Sequence, residues 1–184
     1  MKRRRTTTVL LCAALLLTAA TTGAAVASGP HEDRPEREAA ALTGTAKLYR
    51  SAGDDITFSF DAHLAKEHRD DPLKATGTFT FSHYLNGEGA KAKGTVDCLV
   101  TGGKVAVVSG VITSSDLPGA EGRRVGITVH DRGPGERDRL GYSWAATGSP
   151  AETKDLPKCA GSAPFEQVKR GSGDFTVLPW QPEL

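Results

Sequence analysis

Apolar and polar residues alternate along most of the chain from residue 42 onward. Such alternation places one face of a β-strand on a core and the other face in water. Threonine, valine and aromatic residues fill these stretches, as is typical of half-buried strands. The pattern predicts about eight strands, at 42–49, 55–63, 75–84, 91–101, 104–113, 124–131, 139–146 and 174–178, and allows a short additional strand near 165–168.

Turn residues separate these stretches and favour direct hairpins between them. Asn86-Gly87 and Gly102-Gly103 supply the positive φ angles of tight turns, and Gly133-Pro134-Gly135 marks another reversal. A sustained helical period is missing after residue 42, although 62–71 has room for a helical turn. We therefore predict a single antiparallel all-β domain. Consecutive hairpins favour a meander barrel, and a β-sandwich remains the alternative.

The apolar residues of two neighbouring predicted strands indicate which of their faces are covered. In strand 91–101, alternation places Val96, Cys98 and Val100 on one face and Leu99 on the other. Strand 104–113 is apolar on both faces, so we expect a cover on its outer side. The long segment 148–164 is the natural cover, because it carries a cysteine that can bond to the adjacent strand.

The N-terminus has the three parts of a secretory signal peptide. Four basic residues, at positions 2–5, precede an apolar run at 9–17, and Ala25-Val26-Ala27 has the small-residue form of a cleavage site. We predict a signal peptide at 1–27, a flexible charged leader at 28–41 with an optional helical turn at 36–42, and the β domain at 42–184. The protein should be secreted or extracellular, and it could stay associated with the cell envelope.

The net charge changes sign when the signal peptide is removed. Residues 1–27 hold four of the 23 basic side chains and none of the 22 acidic ones, which leaves 19 basic against 22 acidic side chains. A weakly acidic chain argues against nucleic acid as a partner. No later stretch has about 18 uninterrupted apolar residues, so we expect no transmembrane segment in the mature protein, and we expect a monomer.

Two cysteines, Cys98 and Cys159, remain after the signal peptide is removed. They have neither metal-finger spacing nor a C-x-x-C redox pattern, and they would lie in an oxidising compartment. We therefore predict one disulfide between them. Closing a loop of this length stabilises a fold by about 4 kcal/mol in the chain-entropy model.

The densest polar stretch is 131–139, around the Gly-Pro-Gly bend. Asp131, Glu136 and Asp138 are candidate calcium ligands, because carboxylate oxygens suit this hard cation. The spacing is not that of an EF-hand, and three arginines compete for the same carboxylates. A turn held by Asp–Arg pairs and backbone caps is the favoured interpretation, and no other cofactor is predicted.

Three motifs suggest catalysis or metal binding, but the predicted strands place their residues in unsuitable positions. Ser143 lies inside a predicted strand rather than at the sharp strand-to-helix turn of a nucleophile elbow. His130 and Asp131 are adjacent in a strand and face opposite sides. His63, His68 and His83 do not share a face, so a zinc centre is not expected. We assign no catalytic residue.

Aromatic residues are the remaining candidates for binding. A small apolar ligand would need a cavity lined by inward-facing aromatic side chains, namely Phe58, Phe60, Phe79, Phe81 and Tyr142. Trp144 is expected in the core, and Trp180 is expected to anchor the C-terminal tail over one end of the domain.

Three stretches carry a resemblance to known proteins: TVDCLVTGGKVAVVSGVI, VGITVHDRGPGERDRLGYSW and CAGSAPFEQVKRGSGDFTVL. Over residues 42–178 the chain resembles small secreted β-rich proteins of high-GC actinobacteria, some of them labelled repetin. The resemblance implies a secreted β domain and transfers no activity. The animal protein of that name is built on an EF-hand unit, and no such loop stands in this sequence.

Three hypotheses follow for function. The favoured one is a secreted, non-enzymatic binding or structural protein, whose partner is a protein, a glycan or a small ligand. The first alternative is a secreted hydrolase or metal-dependent enzyme. The second is a calcium-stabilised adhesion-type module that uses the loop 131–138.

Overall fold

A computed structural model of the protein describes residues 38–153 and 156–182. The predicted signal peptide, and the predicted leader as far as residue 37, lie outside the described residues. The described chain forms nine strands and three short 3-10 turns. The strands are β1 (Glu38–Lys47), β2 (Asp55–Ala65), β3 (Thr76–Leu85), β4 (Glu88–Gly102), β5 (Val105–Ser115), β6 (Arg124–His130), β7 (Arg139–Tyr142), β8 (Glu166–Gln167) and β9 (Asp174–Leu178). The 3-10 turns are Lys66–His68, Pro72–Lys74 and Pro150–Glu152.

All nine strands belong to one antiparallel sheet, in the order β8-β7-β6-β5-β4-β3-β2-β1-β9. The sheet curls, as is shown by an antiparallel bridge between Val168, just after β8, and Leu48, just after β1. Two backbone hydrogen bonds support this closure, from Tyr49 N to Gln167 O (2.7 Å) and from Lys169 N to Lys47 O (2.8 Å). The all-β prediction is therefore confirmed, as the curled meander rather than the two-sheet sandwich, with the short additional strand present as β8.

The first strand begins earlier than predicted. β1 starts at Glu38, so the predicted leader ends before that residue and the optional helical turn is wrong over 38–42. Ala39, Ala40 and Ala41 favour a helix in isolation, but all three are buried in the folded chain. β1 pairs with β2 on one edge and with β9 on the other. Two ladders of hydrogen bonds and burial override the local preference.

A β-bulge changes the alternation in β4. The pairing with β5 shifts register between Val96 and Cys98, which makes Asp97 the additional residue. Beyond the bulge, Leu99 is fully buried and Val100 is 43% exposed. The predicted grouping of Val96, Cys98 and Val100 on one face is therefore wrong, because simple alternation cannot anticipate a bulge.

The predicted disulfide joins Cys98 to Cys159, with 5.3 Å between the Cα atoms. Cys159 belongs to residues 156–165, which we call the outer segment. This segment lies flat against β6 and β7, since a Cβ atom on Gly126 or Gly141 would overlap the carbonyl oxygen of Ala160 or Ala163. It also lies over β5, where a Cβ atom on Gly161 would come within 3.3 Å of Val107 Cγ1, so the expected cover over the strand predicted at 104–113 is present.

A polar network lies beneath the outer segment. Ser109 Oγ accepts a hydrogen bond from Cys159 N (2.9 Å) and donates one to Asp97 Oδ1 (2.7 Å). The other oxygen of Asp97 accepts from Arg124 Nε at 2.7 Å, and Arg124 also donates to the carbonyl of Leu156. The bulged residue thus anchors the disulfide-bearing segment.

Within the described residues, the structure contains no helix of the length and apolarity needed to cross a membrane.

Candidate functional site

A cavity of about 410 Å³ lies at the end of the sheet where β2 and β4 begin and where β3, β5 and β7 end. This end is completed by the loops that follow β5 and β7. Mouths of curled sheets are common positions for small-molecule sites, and the volume lies within the range of known ligand pockets. The cavity is therefore the candidate functional site.

Strand alternation supplies the walls of the cavity. Ile56 and Phe58 lie on the inner face of β2, where both are buried, and Phe81 lies on the inner face of β3. Tyr142 ends β7, and the turn after it brings Trp144 to the same cavity. The predicted strand 139–146 is shorter than expected because this turn begins at Ser143.

The aromatic side chains form one contact cluster. The ring centroid of Trp144 is 4.6 Å from that of Phe81 and 4.8 Å from that of Tyr142. Phe58 is 5.8 Å from Phe81 and 5.9 Å from Tyr142. Offset and tilted arrangements at these distances stabilise the cluster, so the rings hold one another in place. Trp144 is buried, as the sequence predicted.

The hydroxyl group of Tyr142 is held by a charged pair, Arg50 and Glu166. Its hydroxyl accepts a hydrogen bond from Arg50 Nη2 at 2.9 Å, and the same guanidinium nitrogen lies 2.7 Å from Glu166 Oε1. Burial raises the pKa of Tyr142 above its ordinary value, so the phenol stays protonated at neutral pH. Because the hydroxyl is engaged by Arg50, the ring of Tyr142 is what the cavity offers to a ligand.

Two loops form the remaining wall. Leu117 and Pro118 follow β5, and Ser149 and Pro150 open the third 3-10 turn. Ser149 Oγ accepts from Ala151 N (3.2 Å), which caps that turn. In the other loop, Leu117 N donates to Ser115 Oγ (3.0 Å), so each loop is ordered by a local hydrogen bond.

One of the polar groups at the mouth is a histidine–aspartate pair. His83 Nε2 lies 2.8 Å from Asp54 Oδ2, and the two side chains are 56% and 16% exposed. His83 and Phe81 both border the cavity, but the sequence pattern did not predict Asp54 as the partner of His83. Asp54 is 29 residues away and precedes β2 in a loop, so only the β2–β3 register, which pairs Asp55 with Tyr84, reveals the proximity.

Phe60 and Phe79, which the sequence placed in a ligand cavity, do not line this one. Phe60 makes an edge-to-face contact with Phe175 at 5.5 Å. Phe79 fills the space above Gly94 and Gly110, where an added Cβ would collide with its ring. Both phenylalanines lie deeper in the core, so the cavity occupies one end of the sheet rather than its whole interior.

The three candidate calcium ligands have different partners. Asp131 Oδ1 accepts from Gly133 N (2.9 Å), and its Oδ2 accepts from Val177 N (3.1 Å) and Lys104 Nζ (3.0 Å). The described residues contain no group of three or more histidine, cysteine or acidic side chains placed to hold a metal ion. Calcium binding stays a prediction to be tested.

Asp138, the second candidate, also accepts hydrogen bonds from the backbone. Its Oδ1 accepts from Arg132 N (2.8 Å) and its Oδ2 from Phe175 N (3.0 Å). Glu136 pairs instead with the Arg132 side chain at 3.2 Å. The turn is therefore held by the predicted backbone caps, and the Arg132 side chain pairs with Glu136 rather than with an aspartate.

The pKa values of Asp131 and Asp138 are shifted in opposite directions, although burial raises both. Burial raises the pKa of Asp131, but hydrogen bonds from Val177, Lys104 and Gly133 outweigh it and hold the pKa below its ordinary value of 3.8. For Asp138, burial and the neighbouring Asp174 carboxylate raise the pKa despite two amide hydrogen bonds.

Other sequence candidates have structural partners. Ser143 Oγ accepts a hydrogen bond from Gly126 N (3.1 Å). His63 lies 2.8 Å from Asp61 and 2.9 Å from Glu38 on the outer face of β1 and β2. Trp180 Nε1 donates to Arg69 O (3.0 Å), so its indole anchors the C-terminal segment as expected, away from the cavity.

No protein-family model matches this chain, and no curated protein and no solved structure shows significant similarity to it. The resemblance to secreted actinobacterial proteins therefore stays a prediction. Fold and site define a curled antiparallel sheet with an aromatic cavity at one end, and function has to be argued from that cavity.

Proposed function

We propose that this protein is a secreted, non-enzymatic binding protein that holds a small, flat, apolar molecule in the cavity at the end of the sheet. The observation that carries the proposal is the aromatic lining, in which Phe58, Phe81, Tyr142 and Trp144 contact one another around a space of about 410 Å³. An apolar ligand gains about 25 cal/mol for each Å² of apolar surface that it buries.

The preformed walls favour binding over a role in packing alone. The rings are held by mutual contacts and by the Arg50 hydrogen bond to Tyr142, so little side-chain freedom is lost when a ligand enters. Flat ring faces suit a planar partner, because offset stacking at 4.5–7 Å between centroids is favourable.

Secretion is the second part of the proposal, and it rests on the signal-like N-terminus and on the disulfide. Mass spectrometry of protein from culture supernatant tests it. We expect a mature chain that begins at Ser28, with no free thiol. Full-length chain retained in the cytoplasm would contradict it.

Ligand binding is tested with 2-methoxynaphthalene, a flat apolar probe. In a Trp180→Phe background, Trp144 is the sole tryptophan of the chain and reports directly on the cavity. We expect saturable quenching or enhancement of its fluorescence at one probe per protein. A linear, non-saturating response would contradict a defined site.

A cavity-filling variant separates specific binding from adsorption. Ala90 lines the cavity on the inner face of β4, so Ala90→Phe should abolish probe binding while the protein remains folded. Leu73→Phe is the matched control, because Leu73 is 48% exposed and lies outside the cavity. Equal binding by both variants would contradict the proposed site.

A further inference from the structure

The cavity has a polar recognition group at its mouth. His83 follows Phe81 by two positions on β3, so both side chains lie on the inner face, with His83 nearer the end of the strand. His83 borders the cavity and is 56% exposed, whereas the aromatic walls below it are largely buried. A ligand held by the rings therefore passes His83 as it meets solvent.

Asp54 determines what His83 offers to a ligand. An ionised carboxylate can only accept hydrogen bonds, so the 2.8 Å contact between Asp54 Oδ2 and His83 Nε2 requires a proton on Nε2. In a neutral imidazole with a proton on one nitrogen, the other nitrogen carries a lone pair and accepts. When the imidazole is neutral, Nδ1 is therefore its remaining acceptor, and the 2.8 Å contact with Asp54 fixes the orientation of the ring.

We propose that the His83–Asp54 pair selects ligands that carry a hydroxyl group on a flat apolar body, with the hydroxyl donating to His83 Nδ1. This inference rests on the proposed function, because it names the ligand class of the same cavity. Phenols and aryl alcohols have the required shape and the required donor.

Charges near the mouth argue against an anionic ligand. The Asp116 side chain borders the cavity and accepts a hydrogen bond from Lys91 N at 2.6 Å, and Asp54 holds His83. Two carboxylates at the mouth repel an anion. Lys91 is the opposing charge among the residues that border the cavity. Alternation places its side chain on the outer face, beside its cross-strand partner Ser82, so only the near part of this residue reaches the cavity.

Three matched probes test the inference in the Trp180→Phe background: 2-naphthol, 2-methoxynaphthalene and 2-naphthoate. They share the ring system and differ in whether the substituent donates a hydrogen bond, only accepts or is anionic. We expect 2-naphthol to bind roughly three- to tenfold tighter than 2-methoxynaphthalene, as one additional neutral hydrogen bond gives. We expect 2-naphthoate to bind weakest.

Variants assign this preference to the pair. His83→Phe should bring the affinity ratio of 2-naphthol to 2-methoxynaphthalene to about one, and the ratio cancels any change in cavity shape that affects both probes alike. Asp54→Asn should reduce the ratio, because an amide can also donate and no longer fixes the protonated nitrogen. His130→Phe is the control, since His130 ends β6 outside the cavity lining.

The outcomes distinguish the two proposals. Binding of all three probes with no preference, or strongest binding of 2-naphthoate, would overturn the role of His83 and leave the cavity as the ligand site. Failure of every probe to bind would overturn the proposed function and this inference with it. A preference that persists unchanged in His83→Phe would assign the hydroxyl to a different group and contradict the inference.

Discussion

The carboxylate of Asp131 accepts a hydrogen bond from the backbone N–H of Val177 at 3.1 Å. Val177 lies on β9, which pairs with β1 on its other edge, and Asp131 directly follows β6. Asp138 makes the equivalent bond to Phe175, two residues earlier on the same strand. Side-chain carboxylates thus satisfy edge amides that no neighbouring strand pairs, and they help to close the curled sheet.

Asp131→Asn should destabilise the protein by about 1–3 kcal/mol at neutral pH. The amide NH2 of asparagine cannot accept the hydrogen bonds that Val177 N and Gly133 N donate to the two carboxylate oxygens, and Lys104 loses its ion pair. The pKa of Asp131 is lowered in the folded state, so its charge stabilises the fold above the ordinary value of 3.8, and this contribution is lost as the pH falls below it. Urea denaturation should show a gap between wild type and variant that narrows below pH 3.8. A gap that does not vary with pH would contradict this role.

Asp174→Asn should stabilise the protein at neutral pH, whereas Asp131→Asn should destabilise it. Burial, together with Asp174, raises the pKa of Asp138, so ionisation of Asp138 disfavours the fold as the pH rises through that raised value. Removing the Asp174 charge should lower the pKa of Asp138 in a carboxyl NMR titration and make the protein more stable at neutral pH. An unchanged Asp138 titration would show that the neighbouring charge has no part in the shift.

Gly126→Ala should destabilise the protein by about 1–3 kcal/mol or more, because the added methyl group overlaps the Ala160 carbonyl and lifts the outer segment. Gly102→Ala is the matched control, since a Cβ atom there meets no neighbour within 4 Å. Thermal unfolding of both variants measures the difference. Equal melting temperatures would mean that the outer segment does not lie against β6.

Replacing both cysteines, in the Cys98→Ser/Cys159→Ser variant, should reduce the free energy of unfolding by about 4 kcal/mol, as expected for a loop closed across 61 positions. The circular dichroism of the sheet should persist, because the strand pairing does not depend on the bond. Denaturation in urea measures the loss. A variant with undiminished stability would contradict a role for the disulfide in holding the outer segment.

Calcium should leave the melting temperature unchanged, since Asp131 and Asp138 direct their oxygens at backbone amides and Glu136 pairs with Arg132. Titration with calcium, followed by a chelator, measures this directly. A rise in melting temperature that the chelator reverses and that Glu136→Gln removes would instead support the calcium-stabilised module.

The period-two pattern was sufficient to predict most strands, because most of them bury one face more than the other and the hairpins between them are short. It failed at Leu99, where a bulge inserts one residue, and at Ala39–Ala41, where pairing on two edges overrides helical preference. Part of the cavity lining could also be predicted from the sequence, because alternation places Phe58 and Phe81 on the inner face. The Asp54 partner of His83 depends on strand register, which a single sequence does not fix.

The role of Phe60 and Phe79 could not be separated from that of the cavity residues by alternation. All of them share the inner face, and the position of each residue along its strand decides whether it lines the cavity or fills the core. Phe79 fills space left by Gly94 and Gly110 on neighbouring strands, so glycines opposite an aromatic residue are the signal that the sequence contained.

The most direct test of the account is an NMR titration of the mature protein with 2-naphthol, monitored at the two tryptophan indole N–H signals. Trp144 lines the cavity, whereas Trp180 donates its indole N–H to Arg69 O away from it. We predict a saturable shift of the Trp144 signal, with the Trp180 signal unmoved. A shift confined to Trp180, or no shift of either signal, would contradict it.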